Sequence, residues 1–210
     1  MKKRTIHYAV LLSVLGLSCA SRSQAPTLEE FLPSGEQLEL FDGESLDFWE
    51  PADFGDAGKI EVKDRTILLH RGAPAAGMIW SGPFRQIDYE LFFEIKFSER
   101  GTAAVTLPVD LGSAALLFGE VAELCCTDGD QALKSEVTGK SLLEAQRWHR
   151  VRVRVIAERI QSWIDDRPVL DAETAGKLLA LPDEFQSATP PAIVVRDASA
   201  SLRNIVLTLL

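Results

Sequence analysis

The sequence predicts an all-β sandwich of two antiparallel sheets in one domain. Three observations carry that expectation. Short apolar runs recur along the chain with turn-forming residues between them, such as Lys63-Asp64-Arg65, Ser81-Gly82-Pro83 and Asp165-Asp166. The two longest runs alternate with a period of two, so each has one apolar and one charged face. Within the domain only Ala172–Leu181 reads as a helix, and Pro182 stops it. A chain of 210 residues with this ordinary balance of apolar and charged residues can bury a core without disulfides.

Taken in order, strands are expected over Leu38–Phe41, Lys59–Val62, Thr66–His70, Gly77–Trp80, Ile87–Phe97 and Ala103–Val109. The series continues over Ala114–Phe118, Trp148–Ile156, Arg159–Ile164, Pro168–Leu170, Ala192–Val195 and Leu202–Leu210. In the Ile87–Phe97 run, Tyr89, Leu91, Phe93, Ile95 and Phe97 share one face, and Glu90, Phe92, Glu94 and Lys96 share the other. In the Trp148–Ile156 run, Val151, Val153 and Val155 share a face with His149, opposite Trp148, Arg150, Arg152 and Arg154. Burying these charges costs several kcal/mol per ion, far more than exposing a few valines. The charged faces must therefore look outward.

The first residues carry a different signal. Met1-Lys2-Lys3-Arg4 is a basic start, Tyr8–Leu17 is an apolar run too short to span a bilayer, and Gly16-Leu17-Ser18-Cys19 ends it. The segment resembles a bacterial lipoprotein signal, with residues 1–18 removed and Cys19 acylated; cleaved secretion and a retained anchor are the alternatives. Residues 19–36 then read as a tether with a short helical turn over Thr27–Leu32, and residues 37–210 as the sandwich. Ala20, rather than an aspartate, follows the cysteine, which favours the outer membrane. The expected location is the cell envelope, with the domain facing the periplasm or the exterior.

Composition excludes some functions. The net charge is −9, so a nucleic-acid partner is not expected. Cys125 and Cys126 are adjacent and have neither zinc spacing nor a loop to close; a strained vicinal disulfide and free thiols are both open. Asp128-Gly129-Asp130 could help bind calcium, but it lacks the spaced ligands of a calcium loop. No cofactor is expected.

The run Leu40-Phe41-Asp42-Gly43-Glu44-Ser45-Leu46-Asp47-Phe48-Trp49 resembles the opening motif of the DUF1080, or 3-keto-disaccharide hydrolase, family. Asp88-Tyr89-Glu90-Leu91, Trp148-His149, Ser162-Trp163-Ile164-Asp165-Asp166 and Ile205-Val206-Leu207 resemble later family strands in order. The resemblance implies a concanavalin-like, laminin-G-like jelly roll and a role in carbohydrate catabolism. One segment departs from the family. An asparagine-serine-glycine motif and an arginine strand usually follow the glutamate strand, but here Ser98–Val109 keeps only Gly101 and the apolar alternation.

The candidate catalytic residues are Glu90, Glu94 and Asp110, and the candidate sugar-binding residues are Arg150, Arg152, Arg154 and Trp163. Glu90 and Glu94 lie ~13 Å apart along one strand, beyond the ~5–10 Å of a glycosidase pair. Each would need a carboxylate from elsewhere, such as Asp110; pairing with the arginines explains the same pattern. Arginine binds planar anions bidentately, so three on one face suit a carboxylated or sulfated sugar. The expected partner is a glycan or sugar-derived small molecule, with the membrane reached through the lipid anchor. Three roles remain open: glycoside hydrolysis, non-catalytic glycan binding, and a structural envelope lipoprotein.

Overall fold

A computed structural model describes residues 34–56, 58–129, 131–132 and 143–210. The signal, Cys19, the tether up to residue 33 with its Thr27–Leu32 turn, and Asp130 lie outside the described residues.

Two sheets face each other. The first contains β1 (Gln37–Glu39), β3 (Ile60–Lys63), β4 (Thr66–Leu69), β6 (Tyr89–Phe97), β12 (His149–Ile156), β13 (Arg159–Ile164), β14 (Arg167–Glu173) and β17 (Ala200–Leu209). Its order is β14-β13-β12-β6-β17-β4-β3, with β1 also on β17. The second contains β2 (Trp49–Pro51), β5 (Ala76–Trp80), β7 (Thr102–Val109), β8 (Gly112–Phe118), β9 (Ala122–Cys125), β10 (Thr127–Asp128), β11 (Gln131–Ala132), β15 (Leu179–Ala180) and β16 (Ala192–Arg196). Its order is β11-β10-β15-β8-β7-β16-β5-β2, with β9 also on β8. Among the described strands, pairing is antiparallel except for the single bridge Leu179↔Gly112, which is parallel.

Parity sets the core as expected. Tyr89, Leu91, Phe93, Ile95 and Phe97 are buried, as are Val151, Val153 and Val155, while Glu90, Glu94 and the three arginines look out. The Tyr89 hydroxyl crosses between the sheets and donates to the Pro108 carbonyl at 2.7 Å. The opening motif is structural. Asp42 Oδ1 accepts from the Glu44 and Ser45 amides at 2.7 and 2.9 Å, and Trp49 Nε1 donates to the Leu40 carbonyl at 2.7 Å. Trp49 packs edge-on against Trp80, with ring centroids 5.2 Å apart.

The second sheet differs from a one-faced sheet. On β7, Ala103, Val105 and Leu107 fill the core between the sheets, but Ala104 and Thr106 on the other face are buried too. A segment with a short 3-10 turn over Asp183–Phe185 lies across that outer face. Phe185 and Ala188 pack on Ala104, Ala115, Ala192 and Val194, and Thr106 Oγ1 donates to the Ala188 carbonyl at 2.8 Å. Small side chains on the sheet leave room for the segment.

One expectation changes here, and one open alternative is decided. The Ala172–Leu181 helix does not form. Asp171 and Ala172 continue β14 against β13, Gly176 turns the chain with φ +67°, and Leu179–Ala180 form β15. Cys125 and Cys126 are free thiols, not a vicinal disulfide. Cys125 packs with the outer cluster of the second sheet and Cys126 belongs to the core between the sheets. Burial, then neighbouring charge, pushes both thiols up to about 11.

The Asp165-Asp166 turn joins β13 to β14 with both residues at positive φ, 50° and 64°, as a two-residue hairpin of this twist requires. Asp165 Oδ1 accepts from the Arg150 amide at 2.9 Å, and its Oδ2 lies 2.9 Å from Nδ1 of buried His149. Nε2 of His149 lies 3.2 Å from the Glu144 carbonyl, so both ring nitrogens face acceptors. Burial opposes ionisation of Asp165, but the Arg150 amide, His149 and Arg147 outweigh it and lower its pKa. A lowered carboxyl pKa contributes stability above the unfolded value, lost as pH falls through the folded one. Asp165→Asn, which keeps a turn-compatible residue, should therefore cost about 1–2 kcal/mol at neutral pH. The gap should narrow below pH ~3.9. Urea unfolding across that range checks it, and a gap independent of pH contradicts it.

Candidate functional site

The outer face of the first sheet brings the charged and aromatic side chains together. Across it, Trp163 stands beside Arg152, which stands beside Phe92; Gln161, Arg154 and Glu90 form the next row. Glu90 Oε2 accepts from Arg154 Nε at 3.1 Å, Arg154 Nη2 at 2.9 Å and Arg152 Nη1 at 3.3 Å. The Arg152 guanidinium lies 4.0 Å from the Trp163 ring centroid, and that of Arg154 5.7 Å. Arg150 is drawn off to the rim, where Nη2 meets Asp166 Oδ2 at 2.7 Å.

Glu94 pairs with a residue the sequence reading did not select. Arg203 on β17 donates from Nε to Glu94 Oε2 at 2.5 Å, and its guanidinium lies 4.1 Å from the Trp148 ring. A register shift between Arg203 and Val206, with Asn204 at φ +52°, sets this geometry. The signal was present: the buried residues of β17 are Ala200, Leu202, Ile205, Leu207 and Leu209, and the step of three from Leu202 to Ile205 marks an inserted residue. Lys96 Nζ lies 5.0 Å from the Trp148 ring, so two cations share one indole.

Glu90, Glu94, Arg150, Arg152, Arg154 and Trp163 thus share one face. Asp110 is elsewhere, in the exposed β7–β8 turn beside Ile156 and Lys177. Each glutamate is held by guanidinium groups, and the two project from the same strand face four residues apart. Such a surface can accept hydroxyl hydrogen bonds, stack a ring and attract anions; it does not assemble two facing carboxylates. Ser98–Val109, where the resemblance departs, leads into β7, whose outer side is covered by Phe185 and Ala188. Among the described residues, no three His, Cys, Asp or Glu side chains are grouped to hold a metal.

The fold defines a concanavalin-like jelly-roll sandwich. The chain belongs to the 3-keto-alpha-glucoside-1,2-lyase-like domain family, whose model matches residues 36–208. No curated protein matches the sequence. Among solved structures, the carbohydrate-binding module CBM66 from Bacillus subtilis is similar at TM-score 0.55 and 13% identity, over 77% of this chain and 95% of that one. A putative glycosyl hydrolase from Parabacteroides distasonis is similar at TM-score 0.55 and 11% identity, over 89% and 98%. A galectin-like protein of unknown function from Bacillus subtilis is similar at TM-score 0.57 and 11% identity, over 82% and 94%. At these identities the likeness is one of fold.

Proposed function

We propose that this domain is a non-catalytic carbohydrate-recognition module whose ligand lies on the outer face of the first sheet, across β13, β12, β6 and β17. The observation that carries the reading is the pair of half-buried tryptophans on that face, Trp163 and Trp148, each with an arginine guanidinium about 4 Å from its ring. A sugar presents an apolar C–H face to an indole and hydroxyls to flanking arginines and glutamates. Glu90 and Glu94 then act as acceptors and as counter-ions that hold the guanidiniums in place. Hydrolysis through Glu90, Glu94 and Asp110 is disfavoured, because a glycosidase pair must flank one bond. The fold shared with a carbohydrate-binding module supports recognition without supplying a ligand.

A glycan array, followed by calorimetry on the best ligand, tests this. Trp163→Ala and Trp148→Ala should each weaken binding about tenfold or more, or ~1.4 kcal/mol. Binding untouched by both, or glycoside turnover abolished by Glu90→Gln, would overturn the reading.

The same proposal places the protein at the cell envelope, exported and tethered by a lipid on Cys19, on the outer membrane facing the periplasm or the exterior. The basic start, the apolar run and the cysteine support it. A fatty-acid analogue should label the wild type and not Cys19→Ala; label on both refutes acylation at this residue.

A further inference from the structure

We infer that the sugar recognised by this face is anionic, bearing a carboxylate or sulfate that is held beside Lys96. The inference rests on the carbohydrate-recognition reading above and names the class of sugar.

The charge balance points there first. On the three central strands β12, β6 and β17, the outer face carries the cations Arg150, Arg152, Arg154, Lys96 and Arg203 against the carboxylates Glu90 and Glu94. Asp166 from the neighbouring turn engages Arg150. Glu90 alone serves both Arg152 and Arg154, and Glu94 serves Arg203. The cations still exceed the carboxylates, in a protein whose net charge is −9. An excess of one sign on one face of an oppositely charged protein concentrates ligands of the complementary sign.

Geometry locates the site. A groove of about 280 Å³ runs over the paired ends of β4, β17 and β6, lined by His70, Lys96, Gln146, Ser199 and Ser201, among others. That is near the low end of the ~300–1,000 Å³ of small-molecule sites, which suits one sugar unit. Ser201 stands directly opposite Lys96 in the ladder, and Arg203 lies on the diagonal from it, opposite Glu94. Lys96 and Arg203 therefore crowd one indole with a single carboxylate between them, and among the described residues Lys96 has no ion-pair partner. Glu61, near the groove's other wall, is engaged by Lys59 and by His70 at 2.9 Å. Its carboxyl is held at about 2, first by the Lys59 hydrogen bond and then by that of His70. A sugar carboxylate or sulfate beside Lys96 supplies the missing anion, Trp148 takes the ring face, and the serine hydroxyls bond sugar oxygens.

Calorimetry with matched pairs tests this: oligogalacturonate against its methyl ester, and sulfated against unsulfated N-acetyllactosamine. The charged member of at least one pair should bind about tenfold tighter, and added salt should erode the difference. Which pair discriminates identifies the anion as carboxylate or sulfate. Lys96→Gln should reduce the charged-to-neutral ratio to within about threefold, while Lys177→Gln, the same charge change in the turn before β15 and away from the groove, should preserve it. Equal affinity within both pairs, with Trp148→Ala still abolishing binding, refutes the anionic class and leaves carbohydrate recognition standing. A preference that survives Lys96→Gln overturns the assigned position. Failure of all four probes to bind overturns the inference, and the glycan array then decides the broader reading by itself.

Discussion

Truncation of Phe93 to alanine is expected to remove about 3–5 kcal/mol of stability, whereas the same change at its neighbour Phe92 should cost about 1 kcal/mol or less. Phe93 is fully buried between the sheets at the centre of β6. Its loss leaves a cavity that Leu91, Ile95 and Val151, whose positions the ladder fixes, cannot close. Phe92 lies on the outer face between Arg152 and Val206, where water replaces the lost ring. Chemical denaturation of the two variants measures the contrast. A reversed order, with Phe92 the costlier of the two, would mean that β6 is shifted by one residue, which would turn Glu90 and Glu94 into the core and remove the proposed sugar face altogether.

Gly112→Ala is expected to cost about 3–5 kcal/mol through strain and the loss of one buried side chain. Gly112 opens β8 at φ +139°, a conformation that L side chains rarely adopt, and a Cβ there would sit 1.9 Å from the Leu179 carbonyl oxygen. The backbone strain costs ~1–3 kcal/mol. Relief requires β15 to leave the only parallel bridge among the described strands, exposing buried Leu179 and its ~1.5–3 kcal/mol of burial. Gly176→Ala is the control: φ is +67° but nothing lies within 4 Å, so about 1 kcal/mol is expected. Thermal melts separate them. Equal shifts would show that the close approach of β15 to β8 does not constrain the second sheet.

The outer face of the first sheet was legible because charge and parity are local. Glu90, Glu94, Arg150, Arg152 and Arg154 can point in only two directions, and one of them is prohibitive. Arg203 was harder to read, since a bulge breaks the alternation by which its direction would be read. β2, β9, β10, β11 and β15 were not foreseen. Each spans only two to four residues, too few to show a period, and β2 and β15 are held by neighbours distant in sequence. The Ala172–Leu181 segment misleads for the opposite reason: its helical propensity is real, but the ladder from Ile160 to Ala172 outweighs a fraction of a kcal/mol per residue.

By itself the sequence determined the fold class, the family, the faces of β6 and β12, and hence which surface could meet a sugar. These follow from burial, whose sign each residue carries with it. The tertiary structure alone decided that Arg203 and not Arg150 holds Glu94, and that Asp110 stays apart from both glutamates. It also decided that Phe185 and Ala188 cover the second sheet. Those outcomes depend on which strands become neighbours, and pairing between distant segments is set by the packing of the whole sandwich.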